Sequence, residues 1–155
     1  MDKNRIAKRK QAWALLTVSL LFQLCSLAVY VLTGVTEFTP ALSLRVLGFG
    51  GSSLILGLIL LIAGKMVGEE HALKKLSDYG LFLVYALGLL AWLFYLTSEI
   101  NYIANILVAI DGTGVSSFFV LRAGLFLAAW LLALLSAIAA GKRNPIEANS
   151  EQEVA

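Results

Sequence analysis

The side chains of this chain that could do chemistry are few, and most of them follow the third of four apolar stretches. Two carboxylates, Glu99 and Asp111, flank a segment that carries the amides Asn101 and Asn105, and Arg122 lies near the start of the next stretch. An unpaired guanidinium in an apolar environment is costly, so a nearby carboxylate should neutralise it. We therefore expect Arg122 to pair with Glu99 or Asp111. Contact with a ligand or a partner protein is the alternative use of these polar groups.

Further polar side chains lie within or beside the other apolar stretches. Gln23 is near the middle of the first stretch, and Arg45 opens the second. Because an amide is too polar to face hydrocarbon, we expect Gln23 to point into the protein and to hydrogen-bond to a neighbouring helix. A place in an ion pathway is the alternative for Gln23. The hydroxyls of Ser19 and Ser53 need no such partner, since a helix can accept their hydrogen bonds at its own carbonyls.

Metal-binding and catalytic groups are scarce. His71 is the only histidine, and it follows Glu69 and Glu70, but a lone histidine in a charged segment is usually solvated rather than bound to metal. The single cysteine, Cys25, excludes an intrachain disulfide. The apolar stretches contain neither a serine and histidine pair nor a pair of aspartates. We predict no catalytic residue, no metal and no cofactor.

The elements that must position these side chains are four apolar stretches. Each has about the 20 residues that a helix needs to cross ~30 Å of hydrocarbon. With 59% apolar residues and a mean hydropathy of +0.84, the chain is far more apolar than a water-soluble protein. We predict an all-α integral membrane protein, a bundle of four transmembrane helices joined by short loops. The predicted spans are residues 12–33, 46–67, 80–98 and 116–140.

Charged segments flank the predicted transmembrane domain of residues 12–140. Residues 1–11 are basic, and residues 141–155 have too little apolar content to fold alone, so we expect a disordered tail. All but two of the 12 Lys and Arg residues fall on one side of the predicted membrane, the exceptions being Arg45 and Arg122. The positive-inside rule then predicts that both termini are cytoplasmic. We favour a bacterial plasma membrane, which agrees with the lack of any N-glycosylation acceptor in the sequence.

Small residues form two rows at which helices can approach closely. In lipid, apolar burial supplies little drive, and helices associate through rows of this kind. The second stretch carries glycines at seven-residue spacing followed by a Gly-x-x-x-Gly step, and the fourth carries alanines four residues apart. The glycines are Gly50, Gly57, Gly64 and Gly68, and the alanines are Ala129, Ala133 and Ala137. We expect these two helices to pack closely, either on each other or on a partner protein.

The segment that follows the third stretch is amphipathic. Four apolar residues fall on one helical face, and two amides share another face. The apolar residues are Ile100, Ile103, Leu107 and Ile110, and the amides are Asn101 and Asn105. A third helix that continued through this segment would be about 45 Å long and would overshoot the bilayer. We therefore predict a break near Ser98 and an amphipathic outer segment that is interfacial or re-entrant.

Three functions of different classes are compatible with these features. The first is a non-catalytic accessory or regulatory subunit, or a membrane-organising protein, that binds another membrane protein through the amphipathic segment and the glycine row. The short loops and the termini on one side resemble the topology of the MARVEL group of four-span membrane-organising proteins, which implies such a role without assigning it to any residue. The expected partners are membrane lipids and either another membrane protein or a second copy of this chain. Nucleic acid is not an expected partner.

The second function is a small homo-oligomeric channel or transporter whose pathway would be lined by Gln23, Glu99, Asn101 and Asn105. No acidic residue lies inside a predicted span, which disfavours the carboxylate relay of proton- or sodium-coupled transport. The third function is a membrane enzyme that acts on a lipid, with His71 and its neighbouring glutamates at the inner surface.

Overall fold

The computed structural model describes residues 3–37, 39, 41–66, 71–108 and 115–141. Within them it describes the side chains of residues 10–37, 39, 41–64, 79–108 and 115–140. The described residues contain five helices. The helices are α1 (Lys3–Thr33), α2 (Leu44–Met66), α3 (His71–Ser98), α4 (Ile100–Val108) and α5 (Ser117–Gly141). The described part of the chain is all-helical and contains no strand.

Four of the helices are long and apolar enough to cross a membrane. Their apolar segments are Lys10–Thr33, Leu44–Gly64, Tyr79–Ser98 and Ser117–Ala140, with mean hydropathies between 1.9 and 2.3. Only 22 to 33% of each such segment is buried inside the protein, so most of its side chains face outward and would contact lipid. The four apolar helices predicted from the sequence are therefore confirmed, and their length and composition are consistent with a multi-pass membrane protein.

The four long helices form a ring in which each contacts two neighbours. α1 packs on α2 and α5, and α3 packs on the same two helices. Neighbours run antiparallel, because Ser136 near the end of α5 bonds to Ala12 near the start of α1, and Arg122 near the start of α5 bonds to Thr33 at the end of α1. Both ends of the described chain thus lie at one end of the bundle, called here the termini end. The opposite end is the distal end.

The interior of the bundle consists of two clusters of buried side chains. The cluster nearer the termini end is mainly aliphatic, and its buried members are Leu16, Leu20, Leu60, Leu81, Val84 and Ala133. The cluster nearer the distal end is mainly aromatic, and its buried members are Tyr30, Val46, Ala91, Tyr95 and Phe126. The rings of Tyr95 and Phe126 stack with their centroids 5.3 Å apart.

The glycine row of α2 lies against α1. A Cβ atom at Gly57 would collide with Leu20, and one at Gly64 would collide with the indole of Trp13. At Gly50 the same atom would lie 2.8 Å from a methyl group of Leu27. Side chains of α1 therefore occupy the space that the missing side chains leave. Gly68 lies outside the described residues.

The alanine row of α5 also faces α1 rather than α2. Ala129 accepts a hydrogen bond from Ser19 of α1 at its carbonyl, and Ala133 packs in the aliphatic cluster with Leu16 and Leu20, against which Ala137 also packs. α2 and α5 lie diagonally across the ring. Of the two alternatives for these helices, direct packing on each other is not found among the described residues, and packing on a partner protein stays a prediction. A row of small residues marks a face that is approached closely without specifying which helix approaches it.

The third long helix ends where the sequence predicted a break. α3 ends at Ser98, Glu99 is a turn residue, and α4 begins at Ile100. The backbone amides of Glu99 and Ile103 still donate to the carbonyls of Tyr95 and Glu99, over 3.2 and 3.0 Å, so the two helices are joined without an intervening loop. α4 is nonetheless a separate short helix. Its interfacial position in a membrane stays a prediction.

Candidate functional site

The main polar feature of the distal end is a buried ion pair between α5 and the α3–α4 junction. Nη2 of Arg122 lies 3.2 Å from Oε1 of Glu99, and the two side chains are only 3% and 1% exposed. Arg122 enters the interior because it lies on the face of α5 that also carries Phe126 and Ala129, both buried. Arg122 thus pairs with Glu99, one of the two carboxylates that the sequence offered as partners, and the other, Asp111, lies outside the described residues.

Groups from two further segments complete the surroundings of this pair. Nη1 of Arg122 donates to the carbonyl of Thr33 over 2.5 Å. Thr33 ends α1, where the last carbonyls have no partner inside the helix, so the guanidinium caps this helix. The hydroxyl of Thr39 donates to Oε2 of Glu99 over 3.3 Å, and the guanidinium carbon lies 5.8 Å from the ring centroid of Tyr95. The pair therefore ties together α1, α3, α5 and the α1–α2 loop.

Two atoms of the pair are buried without a hydrogen bond. Among the described residues, neither Nε of Arg122 nor Oε1 of Glu99 has a hydrogen-bond partner. Oε1 is close enough to Nη2 for electrostatic attraction, but the angles are not those of a hydrogen bond. A buried polar atom left without a bond typically costs about 1–3 kcal/mol. Among the described residues, the site thus contains one donor and one acceptor without a hydrogen bond.

Both residues line a cavity of about 220 Å³ at the distal end. The described part of its lining comes from the α1–α2 loop, the α3–α4 junction, α4, the residue before α5 and the start of α5, and consists of Thr36, Glu37, Glu99, Tyr102, Ser116 and Arg122. All six side chains can form hydrogen bonds, and three of them carry charge. Glu37 is exposed, whereas Glu99 and Arg122 are buried, so the charges extend from the surface to the interior.

Tyr102 holds the wall of this cavity together. It is the buried residue of α4, its hydroxyl accepts a hydrogen bond from the amide of Ser116 over 2.5 Å, and its ring lies 5.2 Å from that of Phe119. α4 is therefore attached to the start of α5. Thr36 of the α1–α2 loop also lines the cavity, and its hydroxyl accepts from the amide of Thr39 over 3.1 Å.

The other polar residues singled out in the sequence lie elsewhere. Arg45 is exposed and lies over Phe94, 5.5 Å from the ring centroid, in a separate open groove of about 420 Å³ between α2 and α3. Asn101 is exposed and Asn105 is half-buried on α4, and neither lines the cavity. Gln23 is 3% exposed, and its amide nitrogen is 3.5 Å from the carbonyl of Gly50 on α2. Gln23 thus points into the bundle as expected.

The hydroxyl groups of the spans differ from expectation in one respect. Thr17 and Ser26 do bond to carbonyls of their own helix. Ser19 instead donates to Ala129 of α5 over 2.8 Å, and Ser53 donates to Val84 of α3 over 3.0 Å. Ser136 donates to Ala12 of α1 over 2.8 Å. These three serines therefore connect neighbouring helices. Such bonds depend on which helix lies nearby, and the sequence of a single helix does not reveal that.

Several hydrogen-bonding residues of the site were missed in the sequence, namely Thr36, Thr39, Tyr102 and Ser116. Thr39 lies in a loop and gave no periodic signal. Tyr102 was detectable, because it follows Glu99 by three residues and such pairs share a helical face. Among the described residues no group of three His, Cys, Asp or Glu could hold a metal ion. Glu69 and Glu70 lie outside the described residues, and the side chain of His71 is not among those described.

The described groups of the distal cavity can bind a small polar or charged ligand. Their chemistry is that of one guanidinium, two carboxylates and several hydroxyl groups around a small cavity. Comparison of this chain with models of protein families, with curated proteins and with solved structures finds no match in any of the three.

Proposed function

We propose that this chain is a non-catalytic accessory or regulatory subunit, or a membrane-organising protein, that binds another membrane protein through α4 at its distal end. The observation that carries the proposal is the outward apolar face of α4. Ile100, Leu107 and Val108 are 59%, 80% and 66% exposed, although each is a large apolar residue. The bundle itself leaves this face uncovered.

The length of α4 supports a surface role. Its nine residues span about 14 Å at 1.5 Å per residue, which is too short to cross a bilayer. A short amphipathic helix of this kind lies along a membrane boundary or against another protein. Val115 and Phe118, both 58% exposed, extend the apolar surface from α4 onto the start of α5. Together they offer a contact area that includes two helices.

The use of the polar side chains supports a non-catalytic role. Within the spans, the buried serines and Gln23 bond to backbone carbonyls of neighbouring helices or of their own helix. Such bonds are how helices hold together where apolar burial supplies no drive. Arg122 of α5 also joins helices, because it pairs with Glu99 at the α3–α4 junction and donates to the carbonyl of Thr33 at the end of α1. The polar groups are thus accounted for by the assembly of the bundle and by the distal cavity.

The glycine row of α2 is not an accessible contact surface. Side chains of α1 fill it, so a partner would have to displace part of the bundle to reach it. The contact surface is therefore assigned to α4 and the start of α5 alone. We place the protein in a cell membrane, with a bacterial plasma membrane favoured and both termini cytoplasmic. The distal end then faces outward, as the distribution of basic residues favours.

The burial of two key residues weighs against the channel or transporter alternative. A pathway built between copies of the chain needs Gln23 and Glu99 on an outer surface. They are 3% and 1% exposed inside their own bundle. Asn101 alone among the four proposed lining residues is fully on the surface.

The test is extraction in a mild detergent at native expression level, followed by native mass measurement and identification of the components. We expect one other membrane protein in fixed stoichiometry with this chain. Leu107→Ser should abolish that stoichiometric complex, because it removes the most exposed apolar side chain of α4. Leu44→Ser is the matched control, since Leu44 is 83% exposed at the same end of the bundle but on α2. A pure homo-oligomer, or a complex that survives Leu107→Ser, would contradict the proposal.

A further inference from the structure

The distal cavity presents unused hydrogen-bonding groups of opposite kinds. Nε of Arg122 is a buried cationic donor without a partner among the described residues, and Oε1 of Glu99 is a buried anionic acceptor without a hydrogen bond among them. Both residues are at least nine-tenths buried, at 2% and 1% exposed, and both line the cavity. The exposed carboxylate of Glu37 adds a second acceptor to the same lining.

The combination of charges restricts what can bind there. A simple anion would satisfy the donor of Arg122 but would meet the repulsion of two carboxylates. A simple cation would satisfy the carboxylates but would leave the Nε–H of Arg122 without an acceptor. A ligand that satisfies all three groups must carry an anionic oxygen and a cationic N–H group within a short distance of each other.

We infer that the distal cavity binds a small zwitterion in which a primary ammonium group is joined by a short chain to a phosphate, the chemistry of phosphoethanolamine. The phosphate accepts from the guanidinium of Arg122, and the ammonium donates to the carboxylates of Glu99 and Glu37. The hydroxyl of Ser116 lies in the same lining and is available to the phosphate. This assignment is independent of the partner that α4 is proposed to bind.

The size and the place of the cavity agree with this class of ligand. About 220 Å³ is several times the ~30 Å³ that one water occupies, yet it is smaller than the ~300–1,000 Å³ of pockets for drug-sized molecules. A headgroup of a few heavy atoms fits this range. The cavity lies at the end of three spans, where lipid headgroups meet a membrane protein, so the same chemistry can come from phosphatidylethanolamine or from a free molecule.

The test measures the thermal unfolding midpoint of the purified full chain in a neutral detergent. Short-chain phosphatidylethanolamine, phosphatidylcholine and phosphatidylglycerol are added separately, and free phosphoethanolamine is added in a further series. A ligand that binds the folded state raises the midpoint with its concentration. We expect phosphatidylethanolamine to raise it, phosphatidylcholine to fail because its quaternary ammonium has no N–H, and phosphatidylglycerol to fail because it has no ammonium. A response to free phosphoethanolamine identifies a soluble source, and a response to the lipid alone identifies the membrane.

The variant Glu37→Gln decides whether the effect arises in this cavity. Its side chain is exposed, so the substitution should leave the fold intact while removing one acceptor for the ammonium. We expect the concentration for half-maximal stabilisation to rise about three- to fivefold, the effect of one exposed ion pair. Arg45→Gln is the control, because Arg45 is an exposed charge at the same end outside the cavity. It should leave the response unchanged.

Three outcomes would overturn the inference. Equal stabilisation by all three lipids would show a general effect of lipid on the bundle. An unaltered response in Glu37→Gln would place the binding elsewhere. The absence of any shift with phosphatidylethanolamine and with free phosphoethanolamine would mean that water alone satisfies Arg122 and Glu99.

Discussion

The two halves of the bundle are held together by different means. In the half nearer the termini end, the buried side chains are aliphatic, glycines of α2 allow close approach of α1, and serine hydroxyls reach the carbonyls of neighbouring helices. In the distal half, the buried side chains are aromatic and surround an ion pair. The described packing at the termini end involves no buried charge, whereas the ion pair of the distal half removes two charges from water.

This difference indicates that the distal half contains groups that the stability of the fold does not by itself explain. Apolar residues of similar volume often stabilise a protein as well as a buried ion pair does, so such a pair is weak evidence for a purely structural role. Close packing already joins the helices at the termini end without charge. The ion pair at the distal end is accompanied by a polar cavity and by two atoms that have no hydrogen-bond partner among the described residues. The distal half is thus the part of the bundle whose composition folding alone does not explain.

The largest expected effect comes from breaking the distal ion pair on one side. Glu99→Leu would leave the guanidinium of Arg122 buried without a counter-ion, which should lower the free energy of unfolding by about 3–5 kcal/mol. The double variant Glu99→Leu with Arg122→Met removes both charges, and we expect it to recover most of that loss. Unfolding in detergent, followed by circular dichroism, measures both. If Glu99→Leu were as stable as the unaltered chain, the pair would not hold the distal half together.

A smaller effect is expected from filling the close contact at the termini end. Gly64→Ala places a methyl group against the rigid indole of Trp13, and such overpacking should cost about 1–3 kcal/mol of unfolding free energy. The control is Gly124→Ala, because nothing lies within 4 Å of a Cβ atom at that position of α5. Gly124→Ala should be neutral or slightly stabilising, since alanine favours the helix.

Equal effects of the two glycine substitutions would contradict the packing described for α1 and α2. Gly64→Ala should also leave the zwitterion binding proposed for the distal cavity unchanged, because Gly64 lies at the opposite end of the bundle from that cavity. If Gly64→Ala lowered both the free energy of unfolding and the binding of ligand in the distal cavity, the two halves of the bundle would be coupled.

The four long helices could be predicted because the bilayer restricts the alternatives. A chain in hydrocarbon must satisfy its backbone internally, so a long apolar stretch is a helix with little dependence on its neighbours. The pairing of Arg122 was predictable for a similar reason, since a guanidinium in an apolar environment needs a nearby carboxylate. The sequence could not show that Glu99 reaches Arg122, because that contact depends on how the α3–α4 junction turns.

The arrangement of the helices around one another could not be predicted. Gly57 and Ala133 mark faces of close approach, but both faces are approached by α1, and nothing in their spacing indicates that helix. Ser19 and Ser53 have carbonyls of their own helices within reach, yet they bond to other helices. Thr39 joins the site only because the α1–α2 loop folds toward Glu99. These features depend on contacts between segments distant in sequence.

The smallest expected effect concerns one hydrogen bond between helices at the termini end. Ser136→Ala removes the bond from Ser136 to the carbonyl of Ala12, which should lower the free energy of unfolding by about 0.6–1.7 kcal/mol, as for similar bonds in membrane proteins. Thr17→Val is the control, because the exposed hydroxyl of Thr17 bonds only within α1. A measurable loss for Ser136→Ala with none for Thr17→Val would show that hydroxyl groups join these helices. If both variants matched the unaltered chain, close packing alone would hold the termini end together, and the contrast with the charged distal half would be sharper still.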